Sequence, residues 1–115
     1  MRAPLEPVTE ALLVELTDIL VRCADPSRVV LFGSRARGDA GSGSDLDILV
    51  IEREPFGPGR SRLTEAGRLL KLLARFLVPI DLLVYSEGEV ERWRDTKNHV
   101  IARALREGRV LHERA

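Results

Sequence analysis

The chain carries one cysteine, Cys23, among 115 residues. A lone thiol excludes an internal disulfide, makes the cytoplasm the default compartment, and leaves Cys23 as a small apolar side chain on a helix face. Long apolar runs are also missing. None approaches the roughly 20 residues needed to span a bilayer, and the opening Met-Arg-Ala-Pro-Leu-Glu-Pro lacks a signal-peptide core, so neither a membrane span nor a secretory leader is expected. Net charge is absent, with 18 basic and 18 acidic residues, so no basic field argues for a nucleic-acid track. The two histidines, His99 and His112, have no partner at ligand spacing and read as surface or helix-cap residues. Low-complexity tracts and internal repeats are missing as well. A chain of this length is expected to form a single domain over residues 1–115, burying roughly two-thirds of its unfolded surface.

What is present concentrates between Val29 and Val50. Arg28 to Phe32 reads as a buried strand, Gly33-Ser34 as a tight turn, Gly38 to Ser44 as a polar loop, and Asp45 to Glu52 as a second strand. Asp45 and Asp47, two residues apart on a strand, share a face and can converge on one cation. A third acid, Asp81, stands inside the apolar run Val78 to Val84, where a lone carboxylate is costly unless paired or ligating a metal. Glycine at 33 lets the backbone approach a ligand, and Ser34 offers a hydroxyl and an amide to a phosphate oxygen. Ser34 to Arg37 can form one helical turn whose free amides point at an anion. Three carboxylates on two strands behind a Gly-Ser turn are the parts of two-metal phosphoryl or nucleotidyl transfer.

Around this centre, apolar residues at Leu12, Leu13, Leu16, Ile19, Leu20 and Cys23 predict a helix over 9–23, ended by Asp25-Pro26. Residues 53–60, with Pro55, Gly57, Pro58 and Gly59, form a loop expected to flank the nucleotide. A helix over 61–76 should turn Leu63, Ala66, Leu69, Leu70, Leu73 and Phe76 inward, and lead into a strand over 80–85. Strand, helix, strand at this length implies a right-handed crossover between parallel strands, which allows Asp81 to sit beside Asp45 and Asp47. Ser86-Glu87-Gly88-Glu89 is a capping box opening a helix through Trp93, a tryptophan expected in the core. A further helix restarts at Asn98 and stops at Gly108, and a last strand over 109–112 lies on a sheet edge. The fold class is α/β (α+β), a small mixed sheet flanked by helices.

Gly33-Ser34, ten residues, then Asp45-Leu46-Asp47, with Asp81 later between apolar neighbours, resembles the signature of the nucleotidyltransferase superfamily that includes DNA polymerase beta. Gly-Ser-Arg-Ala-Arg-Gly followed by Ser-Asp-Leu-Asp is similar to its small minimal-nucleotidyltransferase branch. The resemblance implies a nucleotidyltransferase fold and transfer of a nucleoside monophosphate, most simply AMP from ATP, to a hydroxyl. Asp45 and Asp47 would bridge two Mg2+ ions, with Asp81 on the one nearer the acceptor; the all-oxygen donor set favours magnesium over zinc. Gly33, Ser34, Arg35, Arg37 and Ser44 would hold the nucleotide. The resemblance also implies a HEPN-type toxin as partner, adenylylated on a tyrosine, with the present chain as antitoxin; self-association is left open. The competing reading is a non-catalytic nucleotide- or protein-binding module on the same fold. Walker A and EF-hand sites are excluded, the first for want of Gly-Lys-Ser/Thr and the second for want of its later glycine and glutamate.

Overall fold

The computed structural model describes residues 7–41 and 44–114. Helix α1, Glu10–Ala24, starts at Thr9, whose hydroxyl accepts from the Leu12 amide at 3.1 Å, and ends at Asp25 in the left-handed region with φ 46°. Leu12, Leu13, Leu16 and Leu20 are buried along its inner face. Cys23, expected on that face, is exposed; in the last turn Ala24 packs on the core instead, and the Cys23 carbonyl accepts from Arg68 at 3.1 Å.

Four strands form a mixed sheet: β1 (Arg28–Phe32), β2 (Leu46–Glu52), β3 (Ile80–Ser86) and β4 (Arg109–Glu113), in the order β3-β2-β1-β4. β1 pairs antiparallel with β2 and β4, and β2 pairs parallel with β3. The β2–β3 link contains α3, Arg62–Leu72, as a crossover between parallel strands requires. Edge strand β4 extends one residue past the expected His112, and its register shifts between Val29 and Val30, a break that discourages further pairing.

Alternation along β2 divides the core in two. Leu46, Ile48 and Val50 join Val29, Leu31, Leu82 and Val84 beneath α1 and α3. Leu49 and Ile51 join Val30 on the other face, beneath α4 (Glu87–Trp93) and α5 (Val100–Glu107). β2 is therefore buried on both sides, which is why its sequence is an almost unbroken apolar run. Among the described residues no helix is long and apolar enough to cross a membrane.

The α3 stripe is narrower than its sequence suggests. Leu69, Leu73 and Phe76 are buried and Ala66 is packed against them, whereas Leu63 (84% exposed) and Leu70 lie on the outer flank of the helix. The helix stops at Leu72 rather than Phe76, because a turn over 73–76 must redirect the chain into β3. The capping box at Ser86 is complete, with Ser86 N–H to Glu89 Oε1 at 2.9 Å and Glu89 N–H to Ser86 Oγ at 3.2 Å. α5 begins two residues later than expected. Asn98 takes the left-handed turn at φ 69°, and His99 is the cap, accepting from the Ile101 amide at 3.1 Å through Nδ1 while its ring stacks on half-buried Trp93 at 4.8 Å. Gly108 ends α5 in extended rather than left-handed backbone. Glycine is required there by crowding: a Cβ would lie 3.0 Å from the Leu31 carbonyl oxygen and closer still to Ala104 O and Val30 Cγ1.

The 53–60 loop does not flank the strand end that carries Asp47. It leaves from Glu52, five residues and about 17 Å further along β2. Its Arg60 binds the Glu54 carbonyl at 2.8 Å, lies over Phe56 at 4.3 Å, and forms an ion pair with buried Glu52. Burial, then the adjoining Glu65 carboxyl, push the Glu52 carboxyl up to about 7 against the opposing pull of Arg60. Glu65, hydrogen-bonded by Arg68, is held down to about 2.

These opposite shifts give opposite pH dependences in separate windows. Between about pH 4.5 and 7 the folded chain keeps a proton on Glu52 that the unfolded chain has released, so this contribution is lost as pH rises through 7. The Glu65 contribution is lost only as pH falls below the ordinary glutamate range. Glu52→Gln, which mimics the protonated carboxyl, should flatten the loss of stability between pH 5 and 8 in urea melts. A wild-type-like slope in the variant would show that Glu52 does not hold the proton.

Candidate active site

At the end of β1 the chain turns through Gly33 with φ 73° and ψ −158°. A Cβ on Gly33 would sit 3.0 Å from Asp47 Cγ and closer still to Oδ2. Both the positive φ and the close crossing of the Asp47 carboxylate restrict the position to glycine. One helical turn follows, α2 (Ser34–Arg37), in which the Ala36 and Arg37 amides bond Gly33 O at 3.1 Å; Gly38, φ 82°, closes it. Among the described residues the Ser34 and Arg35 amides have no acceptor, and the Ser34 hydroxyl has no partner.

Arg35 and Ser44, expected on the nucleotide, are engaged in holding the loop. Arg35 donates to the Ser44 carbonyl at 3.0 Å, and the Ser44 hydroxyl accepts from the Gly41 amide at 2.9 Å. Ser42 and Gly43 of this loop lie outside the described residues. Together these bonds fix the entry to β2 just ahead of Asp45.

Asp47 and Asp81 are direct partners in the parallel β2–β3 register. Each shares a strand face with residues packed under α4 and α5, so the two acids emerge where that layer ends. Asp45 is exposed and precedes β2 by one residue, so the loop's end, rather than the strand pleat, brings it near Asp47. Burial pushes the Asp47 carboxyl above the ordinary aspartate range; Asp81 and then Asp45 push it further, while Arg37 opposes them. The three acids are thus gathered electrostatically around Asp47. Among the described residues, however, no three acidic, histidine or cysteine side chains stand at the spacing of a closed metal cage. All the donors are oxygens, and the charge crowded on Asp47 is what a hard divalent cation would relieve, so the residues fit Mg2+.

Beside Asp47 lies a cavity of about 300 Å³, lined by Phe32, Gly33, Ser34, Arg37, Asp47, Val100, Arg103 and Glu107. Arg37 points its Nε at Asp39 (3.3 Å) and an Nη at Glu107 (3.4 Å). Sequence reading placed Gly33, Ser34, Arg37 and Asp47 here and missed the three α5 residues, because Arg103 and Glu107 fall on the polar side of an amphipathic helix and carry no motif.

The family model for the nucleotidyltransferase domain matches residues 13–79. The chain belongs to the nucleotidyltransferase domain family. The matched span takes in Gly33, Ser34, Asp45 and Asp47 and stops two residues before Asp81, whose membership of the site rests on the β3 register. This nucleotidyltransferase is 35% identical over 88 residues to a Methanocaldococcus jannaschii protein provisionally named a protein adenylyltransferase, covering 74% of this chain and 77% of that one. A second M. jannaschii protein with the same provisional name is 37% identical over 57 residues; that match spans 50% of this chain and about half (52%) of the relative. A provisionally identified Sulfolobus solfataricus nucleotidyltransferase superposes with a TM-score of 0.59 at 25% identity, over 90% of this chain and 79% of its own. A toxin–antitoxin structure containing AMP-PNP shares the fold at 21% identity, with a TM-score of 0.56 over 88% and 73% of the two chains.

Gly33→Ala should cost about 1–2 kcal/mol from the left-handed backbone alone, and more from the collision with Asp47. Urea melts measure that loss. Stability within about 0.5 kcal/mol of wild type would show that the turn does not cross Asp47 as described.

Proposed function

We propose that this nucleotidyltransferase moves AMP from ATP onto a hydroxyl of a partner protein, a tyrosine of a HEPN-type toxin, and so acts as its antitoxin. The observation that carries the transfer reaction is the pairing of Asp47 with Asp81 directly beneath the Gly33-Ser34 turn. The protein acceptor is supported by the M. jannaschii relatives' names, and the toxin pairing by the fold shared with the toxin–antitoxin structure.

In this reading Ser34 and the free amides of its turn take the terminal phosphates, and Arg37 leaves its acidic partners to neutralise them. Two magnesium ions held by Asp45, Asp47 and Asp81 would supply charge neutralisation to the attacking and leaving oxygens. Asp81, exposed near the start of the edge strand β3, faces the side from which a large acceptor can enter. It assists loss of the hydroxyl proton; the hydroxyl oxygen forms the new bond to the α-phosphorus, the bond to the bridging oxygen breaks, and pyrophosphate departs.

Transfer of label from α-labelled ATP to the co-expressed partner tests the proposal. Asp47→Asn and Asp81→Asn should each lower labelling by at least about 100-fold, and Asp81→Asn should retain affinity for a nonhydrolysable ATP analogue. A wild-type protein that binds the analogue and its partner but transfers no label would instead be a binding module.

A further inference from the structure

α5 brings two opposite charges to the wall of the cavity. Val100, Arg103 and Glu107 recur at the three- and four-residue spacing of one helical stripe, on the side turned away from buried Ala102 and half-buried Leu105. Glu107 is committed to Arg37 at 3.4 Å. Arg103 is not committed: among the described residues its guanidinium has no carboxylate within ion-pair distance and no hydrogen-bond acceptor, although it lines the same cavity as Ser34 and Asp47. Among the side chains lining the cavity, Asp47 and Glu107 are balanced by Arg37 and Arg103. Without Arg103 the cavity would be net acidic and would repel a polyanion.

We propose that α5 is the wall of the nucleotide site that selects a triphosphate: Arg103 binds its terminal phosphates, and Glu107 holds Arg37 until those phosphates displace it. This rests on the nucleotide reading above. A guanidinium with no internal acceptor loses no ion pair when a phosphate arrives, and its forked donors match phosphate oxygens. Glu107 acts in the opposite sense, because its carboxylate competes with phosphate for the same arginine. The two residues of one helix therefore affect affinity with opposite signs. A monophosphate, short of the terminal phosphates, gains little from either.

Calorimetric titration of the whole protein with a nonhydrolysable ATP analogue, inorganic tripolyphosphate and AMP, each with Mg2+, tests this in wild type, Arg103→Gln and Glu107→Gln. Arg103→Gln should weaken the ATP analogue and tripolyphosphate at least about tenfold and leave AMP within about twofold. Glu107→Gln should tighten the first two. Wild-type binding that Arg103→Gln does not change, or that it weakens equally for all three ligands, overturns the inference and leaves the nucleotide reading standing; weaker binding in Glu107→Gln overturns the competition. A wild-type protein that binds none of the three overturns both.

Discussion

The site depends on a backbone passing too close to a carboxylate for any side chain to intervene. Gly33 crosses Asp47 in the left-handed region, and the order of events along the chain follows from that crossing. β1 must end there, α2 must start there, and β2 must enter with Asp47 facing the turn. Because β2 is buried on both faces from Ile48 onward, its register cannot slip by one residue without driving apolar side chains out of one core layer and into the other. Packing of the sheet thereby sets the position of the acid, and the parallel pairing with β3 sets Asp81 beside it.

The two ends of β2 treat a crowded carboxylate differently. Glu52 is met by Arg60 within the protein, which opposes the upward push of burial and of the Glu65 carboxyl, so its charge has an internal partner and its role is structural. Among the described residues Asp47 has no arginine in an ion pair with it, because Arg37 is drawn toward Asp39 and Glu107. Its like-charged neighbours raise its proton affinity rather than relieve it. An acid left in that condition at an opening in the surface is suited to a cation that arrives with substrate.

Much of this was legible in the sequence because it is carried by local rules. Gly33-Ser34, the Ser86–Glu89 capping box and the apolar run of β2 each express a short-range physical requirement, and each lies within a residue of its expected place; the Asp45-Leu46-Asp47 alternation does so only from Leu46, because Asp45 stands one residue ahead of the strand. What escaped depends on long-range packing. The 53–60 loop looked like a flank of the site because sequence proximity does not say at which end of a strand a connection leaves. Leu63 and Leu70 looked inward because hydrophobicity does not reveal how much of a helix the sheet covers. Arg35 and Ser44 carry the donors and acceptors of a phosphate site, and their bonds to each other and to Gly41 are long-range detail that the motif does not show. Arg103 and Glu107 reach the cavity only because α5 lies across the second core layer, which no motif announces.

Asp47 sits in a cluster of negative charge suited to a cation. A carbon-detected NMR titration of the Asp47 carboxyl, with and without Mg2+, measures this directly. The Asp47 pKa should lie above the ordinary aspartate range in the metal-free protein and fall when Mg2+ is added, because proton and cation compete for the same oxygens. An ordinary aspartate pKa that magnesium leaves unchanged would contradict it.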